Sequence, residues 1–172
     1  MAVILLRHTQ PAVAPGICYG MTDLPLTASF ADEYDALIKT LPEFKRIVTS
    51  PLTRCRHLAE RIAANLNCPL TEDHRFREMD FGRWESQAWD TIPRAEIDAW
   101  AADFLNARPH GGESVAMLRA RVGTALSDLK QLDGDSLVVT HAGVIKVALA
   151  KDDTAESHET SIGFGRYVTL DQ

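Results

Sequence analysis

Ala2-Val3-Ile4-Leu5-Leu6 is an unbroken apolar run that stops abruptly on Arg7-His8. A run without polar alternation is what a central strand covered on both faces requires. It is too short for a secretory h-region or a membrane span, and a charge follows it at once. The chain is therefore expected to open on a buried strand whose carboxyl end carries Arg7 and His8. Two later segments repeat the pattern. Arg46-Ile47-Val48-Thr49 reads as a strand running into Ser50-Pro51-Leu52-Thr53-Arg54, and Ser136 to Thr140 as one running into His141-Ala142-Gly143. Gly165 to Leu170 can supply a last strand.

Helical spacing fills the intervals. Phe30, Tyr34, Leu37, Ile38 and Leu41 share one face, with Pro42 as a stop. Ser50 and Pro51 suit an N-cap and a first helical position, and Cys55, Leu58, Ala59, Ile62 and Leu66 form the stripe of the helix they start. Trp89, Ile92, Ile97, Trp100 and Phe104 mark a helical excursion broken by Gly111-Gly112. Ser114 then caps a long helix with Val115, Leu118, Val122, Leu126 and Leu129 on one face, and Ala142 to Ala150 packs after the third strand. Alternating strands and helices predict an α/β fold: a three-layer α/β/α sandwich on a mostly parallel sheet. At 172 residues the chain suits one domain, residues 1–172, with residues 85–110 as a helical cap insertion.

Apolar residues make up 45% and charged residues 24%, as in an ordinary soluble globular protein. The net charge of -6 argues against a nucleic-acid surface, which needs a basic stripe. No segment suits a membrane. Cys18, Cys55 and Cys68 form no CxxC pair, and any disulfide leaves one over, so a reduced, cytoplasmic setting fits.

Chemistry concentrates at the strand ends. In open α/β sheets ligands bind outside the carboxyl ends of the strands. His8, His141, Arg7 and Arg54 would meet at that edge, with helix N-termini such as the one at Ala142 adding N–H donors for an anion. Singly, each residue has a structural explanation. Together they would place uncompensated charge where packing gains nothing from it.

Five motifs occur in order: Leu6-Arg7-His8-Thr9, Ser50-Pro51-Leu52-Thr53-Arg54, Glu78-Met79-Asp80-Phe81-Gly82-Arg83-Trp84-Glu85, Gly111-Gly112-Glu113-Ser114 and Thr140-His141-Ala142-Gly143. In these the chain resembles the histidine phosphatase superfamily, which includes the cofactor-dependent phosphoglycerate mutases. Cys18-Tyr19-Gly20, Asp23-Leu24-Pro25-Leu26-Thr27 and the Arg-His-Thr opening look like its α-ribazole phosphatase branch. The resemblance implies a phosphoglycerate-mutase-like fold and hydrolysis of a small-molecule phosphomonoester through a phosphohistidine. The implied substrate is α-ribazole 5′-phosphate or adenosylcobalamin 5′-phosphate. His8 would be the nucleophile, and Arg7, Arg54, His141 and Ala142 would hold the phosphate. Glu78 matches the proton donor, with Asp80 its local rival.

Glu113 would orient an active-site arginine or a substrate hydroxyl. Thr9 and Trp84 are further candidates for substrate or orienting roles, Trp84 having core packing as its alternative. No cofactor is implied: arginines supply the charge that a metal gives elsewhere, and His8 and His141 have no third zinc ligand at a recognisable spacing. The chain departs from its relatives at Ala14, where asparagine is frequent, at Ser86, where glycine is usual, and over residues 151–160. The alternatives are a mutase-type phosphotransferase, a broad-specificity phosphatase and a non-catalytic phosphate-binding module. The oligomeric state is open, with a homodimer one option.

Overall fold

β1 (Val3–Arg7) lies inside a five-stranded sheet of order β3-β2-β4-β1-β5. The computed structural model describes residues 1–170. Its elements run β1, α1 (Phe30–Leu37), β2 (Arg46–Thr49), α2 (Thr53–Leu66), β3 (Leu70–Glu72), α3 (Arg94–Ala102), α4 (Val115–Leu129), β4 (Ser136–Thr140), α5 (Ala142–Leu149) and β5 (Tyr167–Leu170). β1, β2, β3 and β4 are parallel, and β5 closes one edge antiparallel to β1.

The apolar runs follow from this layering. Successive strand residues point to opposite faces, and here both faces are covered. Val3, Leu5, Val48 and Val138 pack with Leu118, Val122 and Ile145 of α4 and α5. Ile4, Leu6, Ile47, Leu137 and Val139 pack with Tyr34, Leu37, Leu58 and Ile62 of α1 and α2. Each fully buried aliphatic side chain contributes about 1.5–3 kcal/mol. The result is the expected α/β/α sandwich. Parallel pairing also brings the ends of β1, β2 and β4 to one edge.

Ser114 caps α4, its Oγ accepting from the Met117 N–H at 3.1 Å. Elsewhere the boundaries differ from expectation. α2 begins at Thr53 rather than Pro51, because its cap comes from another segment. The Asp23 carboxylate accepts from the Thr53 N–H at 2.8 Å and from its hydroxyl at 2.6 Å. Ser50 is thereby released for another task. Leu66 is exposed instead of joining the stripe, since it occupies the last position before Asn67 turns left-handed at φ 50°. α1 stops at Leu37, short of Leu41. β3 was not foreseen: it has three residues, two of them exposed and polar, and among the described residues it pairs with β2 alone.

The excursion after Trp84 is also less regular than its spacing suggests. A single 3-10 turn at Trp89–Thr91 precedes α3, and Glu85 stands outside both. Ser86 adopts φ 66°, a region that favours glycine, which gives a reason for the glycine that relatives carry there. Among the described residues, no helix is long and apolar enough to cross a membrane.

Candidate active site

His8 follows β1 directly and is 2% exposed. Its backbone N–H donates to the Thr140 carbonyl at 3.1 Å, tying the ends of β1 and β4 together. Its Nδ1 lies 2.7 Å from the Thr9 carbonyl oxygen, which can only accept. Nδ1 therefore carries the hydrogen, and Nε2 keeps a free lone pair. Burial, with Arg54 and Arg7 nearby, pushes the His8 pKa down to about 3. The ring is neutral near pH 7, as a nucleophile must be.

His141 is packed against it, the ring centroids being 5.3 Å apart. Its Nε2 lies 2.8 Å from the Ser50 hydroxyl, the task for which Ser50 was released. Burial, reinforced by Arg54 and His8, holds its pKa well below the usual imidazole value. These shifts carry a stability prediction. Unfolded, both rings take up protons below about pH 6.5, whereas the folded chain resists until near pH 3 at His8. Stability should be fully present above about pH 6.5 and fall by roughly 1.4 kcal/mol per pH unit for each ring below it. Urea unfolding near pH 7.5 and near pH 5 measures this, and equal midpoints would contradict it.

Arg7 leaves β1 with Nη1 donating to the Ile162 carbonyl at 2.6 Å and its guanidinium 3.9 Å from the Phe164 ring centroid. Arg54 is fully buried and bonds carbonyls rather than a carboxylate: Thr22 at 2.8 Å and Gly20 at 2.6 Å. Such bonds orient a guanidinium without neutralising it. The Nε atoms of Arg7 and Arg54 and the Thr9 hydroxyl are buried and, among the described residues, unpaired. Two cations near a neutral imidazole, one of them with no carboxylate partner among the described residues, leave local positive charge of the kind that suits an oxyanion.

The loop that holds Arg54 is itself pinned by Glu85. Its carboxylate accepts from the Gly20 and Met21 N–H groups at 2.9 Å, the Phe81 N–H at 3.1 Å and the Thr22 hydroxyl at 2.5 Å. Burial acts against the charge, yet the Thr22 hydroxyl and these N–H donors hold its pKa below the usual range.

Glu78 is 9% exposed, and its two oxygens accept from the N–H groups of Met79 and Gly143, each at 3.0 Å. A Cβ on Gly143 would lie 2.2 Å from Oε1, so this approach requires glycine. Glu78, Arg7, His8 and Ala142 line one cavity of about 400 Å³. Asp80 does not; its carboxylate accepts from the Gly82 N–H at 2.8 Å. Geometry thus favours Glu78 over its rival.

Other candidates sit away from the cavity wall. Arg54 and His141 do not line the cavity, though both are close to His8. Glu113 does not reach the cavity and meets no phosphate-facing arginine. It binds Arg121 at 2.7 and 2.8 Å, and Arg121 donates to the carbonyls of Arg75, Arg77 and Glu78. The pair therefore fixes the backbone that presents Glu78. Trp84 is 1% exposed, donates to Glu96 at 2.6 Å and packs in the core, so it does not face a substrate. Sequence reasoning assigned no role to Ser50 at His141, to Glu85 or Arg121, or to Lys146 and His158 on the cavity wall. Ser50 and Glu85 had a local signal, each lying inside a recognised motif.

A sequence model of the histidine phosphatase superfamily, branch 1, matches residues 3–160. The chain belongs to the histidine phosphatase superfamily. It is 30% identical over 161 residues to the adenosylcobalamin/alpha-ribazole phosphatase of Salmonella typhimurium, covering 88% of this chain and 79% of that one. It is 33% identical over 151 residues to a Klebsiella pneumoniae protein named "Probable phosphoglycerate mutase GpmB", covering 82% and 69%. The alpha-ribazole phosphatase from Shigella flexneri superimposes with a TM-score of 0.86 at 24% identity, over 99% of this chain and 90% of that one, which supports the fold. As a member of the superfamily, the protein is a histidine-dependent phosphatase acting on small-molecule phosphates.

Proposed function

We propose that the protein hydrolyses a phosphomonoester in two steps through a phosphohistidine at His8, with α-ribazole 5′-phosphate or adenosylcobalamin 5′-phosphate as its substrate. The observation that carries this reading is the neutral His8 ring beside the unpaired polar atoms of Arg7, Arg54 and Thr9. In the first step the Nε2 lone pair bonds to phosphorus and the ester P–O bond breaks. The departing alkoxide takes a proton from the Glu78 carboxyl, while Nδ1 keeps its hydrogen, donated to the Thr9 carbonyl. In the second step, water loses a proton to Glu78 as its oxygen bonds to phosphorus and the N–P bond breaks. Inorganic phosphate leaves and both groups are restored.

Arg7 and the backbone at Ala142 hold the phosphoryl oxygens from the cavity wall, while Arg54 and His141, buried next to His8, support the site from within, where fixed positive charge acts most strongly away from bulk water. Residues 85–110 act as the cap within one domain, and the free thiols suit a reducing cytoplasm. The substrate assignment rests on the Salmonella relative's name and the Cys18-Tyr19-Gly20 and Asp23 to Thr27 motifs.

A labelled phosphomonoester, quenched during turnover, tests the mechanism: the label should remain on the protein in base and be lost in acid. No such adduct during active turnover would sink the covalent route. A panel containing α-ribazole 5′-phosphate, 3-phosphoglycerate and p-nitrophenyl phosphate tests the substrate. Phosphate exchange between positions of phosphoglycerate would instead favour the mutase reading suggested by the Klebsiella relative.

A further inference from the structure

Phe164 belongs to none of the hydrophobic clusters, although its side chain is large and apolar. It is 38% exposed and sits in a tight turn, where glycine and small polar residues are usual. The Arg166 N–H closes this turn on the Gly163 carbonyl at 3.3 Å, with Phe164 and Gly165 at its centre. Gly165 adopts φ 63°, a conformation that favours glycine. Its N–H donates to the carbonyls of Arg7 and His8 at 3.2 and 3.1 Å, and the Arg7 N–H donates to the Arg166 carbonyl at 2.9 Å. On the other side of Phe164, the Ile162 carbonyl accepts from Arg7 Nη1 at 2.6 Å. The turn is thus fastened on both sides to the segment that carries the proposed nucleophile.

The ring goes to the same two residues. Its centroid lies 3.9 Å from the Arg7 guanidinium carbon and 5.7 Å from the centroid of the His8 ring. A cation over an aromatic face is attracted by the ring quadrupole, and that attraction spends no hydrogen-bond donor. A guanidinium has five N–H groups, and Ile162 takes one of them from Arg7 Nη1. A carboxylate in place of the ring would also orient the arginine, but it would offset the charge that a phosphoryl group needs. The ring orients without neutralising.

We propose that Phe164 is a positioning residue, whose ring holds the Arg7 guanidinium beside His8 before any phosphoryl group arrives. Arg7 and His8 line the cavity and Phe164 does not, so the ring acts through Arg7. A long side chain that is already ordered loses less freedom when it binds, which leaves more of its interaction for affinity. The inference rests on the proposed role of Arg7 in holding the phosphate.

The test uses p-nitrophenyl phosphate as substrate and inorganic phosphate as a competitive inhibitor. Phe164→Leu keeps an apolar side chain and removes the ring. It should raise the inhibition constant for phosphate about five- to tenfold and lower kcat/KM by a similar factor. Phe164→Tyr keeps the ring face and should stay within about twofold of the unsubstituted protein on both measures. A ring that served the fold alone would shift thermal unfolding and leave the phosphate constant where it was. The leucine change is then repeated in an Arg7→Ala chain, which by itself should bind phosphate about ten- to a hundredfold more weakly. There the leucine should add less than about twofold, because the group it positions is gone.

An unchanged phosphate constant in Phe164→Leu overturns the inference. So does a tyrosine variant that falls as far as the leucine one, or a leucine effect that persists in full without Arg7. Phe164→Met, which also lacks a ring, takes the place of the leucine variant if that chain does not fold. Failure here is separable from failure of the phosphate reading. Weakened phosphate binding in Arg7→Ala with a silent Phe164→Leu removes the positioning role alone. Normal phosphate binding in Arg7→Ala removes the phosphate role of Arg7, and the positioning role with it.

Discussion

Replacing His8 with alanine is expected to cut turnover by about 10⁴- to 10⁶-fold, the scale for deleting a covalent nucleophile whose partners remain. The reason is positional. His8 combines a neutral ring, an Nδ1 hydrogen fixed on the Thr9 carbonyl and a free Nε2 on the cavity wall. His141 is similarly buried and neutral, but its Nε2 is engaged with Ser50 and it does not line the cavity. It is poorly placed to substitute. Steady-state kinetics on a phosphomonoester, with acid- and base-quenched labelling alongside, checks the expectation. A variant that still forms a base-stable adduct would move the nucleophile elsewhere, whatever its residual rate.

Glu78→Gln should produce a loss that depends on the leaving group. With an alkyl phosphate the departing alkoxide needs a proton, and about 10²- to 10⁴-fold should be lost. With p-nitrophenyl phosphate the leaving oxygen is already a weak base, so the first step should slow far less. Hydrolysis of the phosphohistidine still lacks its base, so a rapid release of p-nitrophenol followed by a slow steady state is expected. Stopped-flow absorbance shows both phases. Equal losses on the two substrates, with no burst, would remove Glu78 from the proton-transfer role. The glutamine cannot reproduce both carboxylate contacts, because its amide nitrogen is no acceptor for the Met79 or Gly143 N–H. Thermal unfolding of the variant therefore belongs in the same experiment.

The parts of this architecture that were legible in the sequence are those set by near neighbours. β1, β2 and β4 are buried on both faces, so their apolar runs are unbroken and unambiguous. β3 has no such signature, because only Leu70 of its three residues is even half-buried. α2 could not be bounded from its own residues, since its first N–H is capped from 30 positions away. The site divides in the same manner. Arg7, His8 and His141 are strand-end residues, and Glu78 lies in a recognised motif. The groups that hold them act over long separations: Ser50 reaches His141 across 91 residues, Glu85 reaches Gly20 across 65, and Arg121 reaches Glu78 across 43. No local pattern announces such pairs. The tertiary fold has to exist before they do.

Arg7 and His8 also depend on a distant segment. The Arg7 guanidinium donates to Ile162, 155 residues further along, and the Gly165 N–H donates to the carbonyls of both Arg7 and His8. On a ribosome adding about 5–20 residues per second, that separation corresponds to roughly 8–30 seconds of synthesis. His8 is thus made some 155 residues before Ile162, and it lacks these supports until Ile162 and Gly165 arrive. A nascent chain halted before them carries His8 without the backbone clamp, so the proposed site is completed only long after its own histidine has been made.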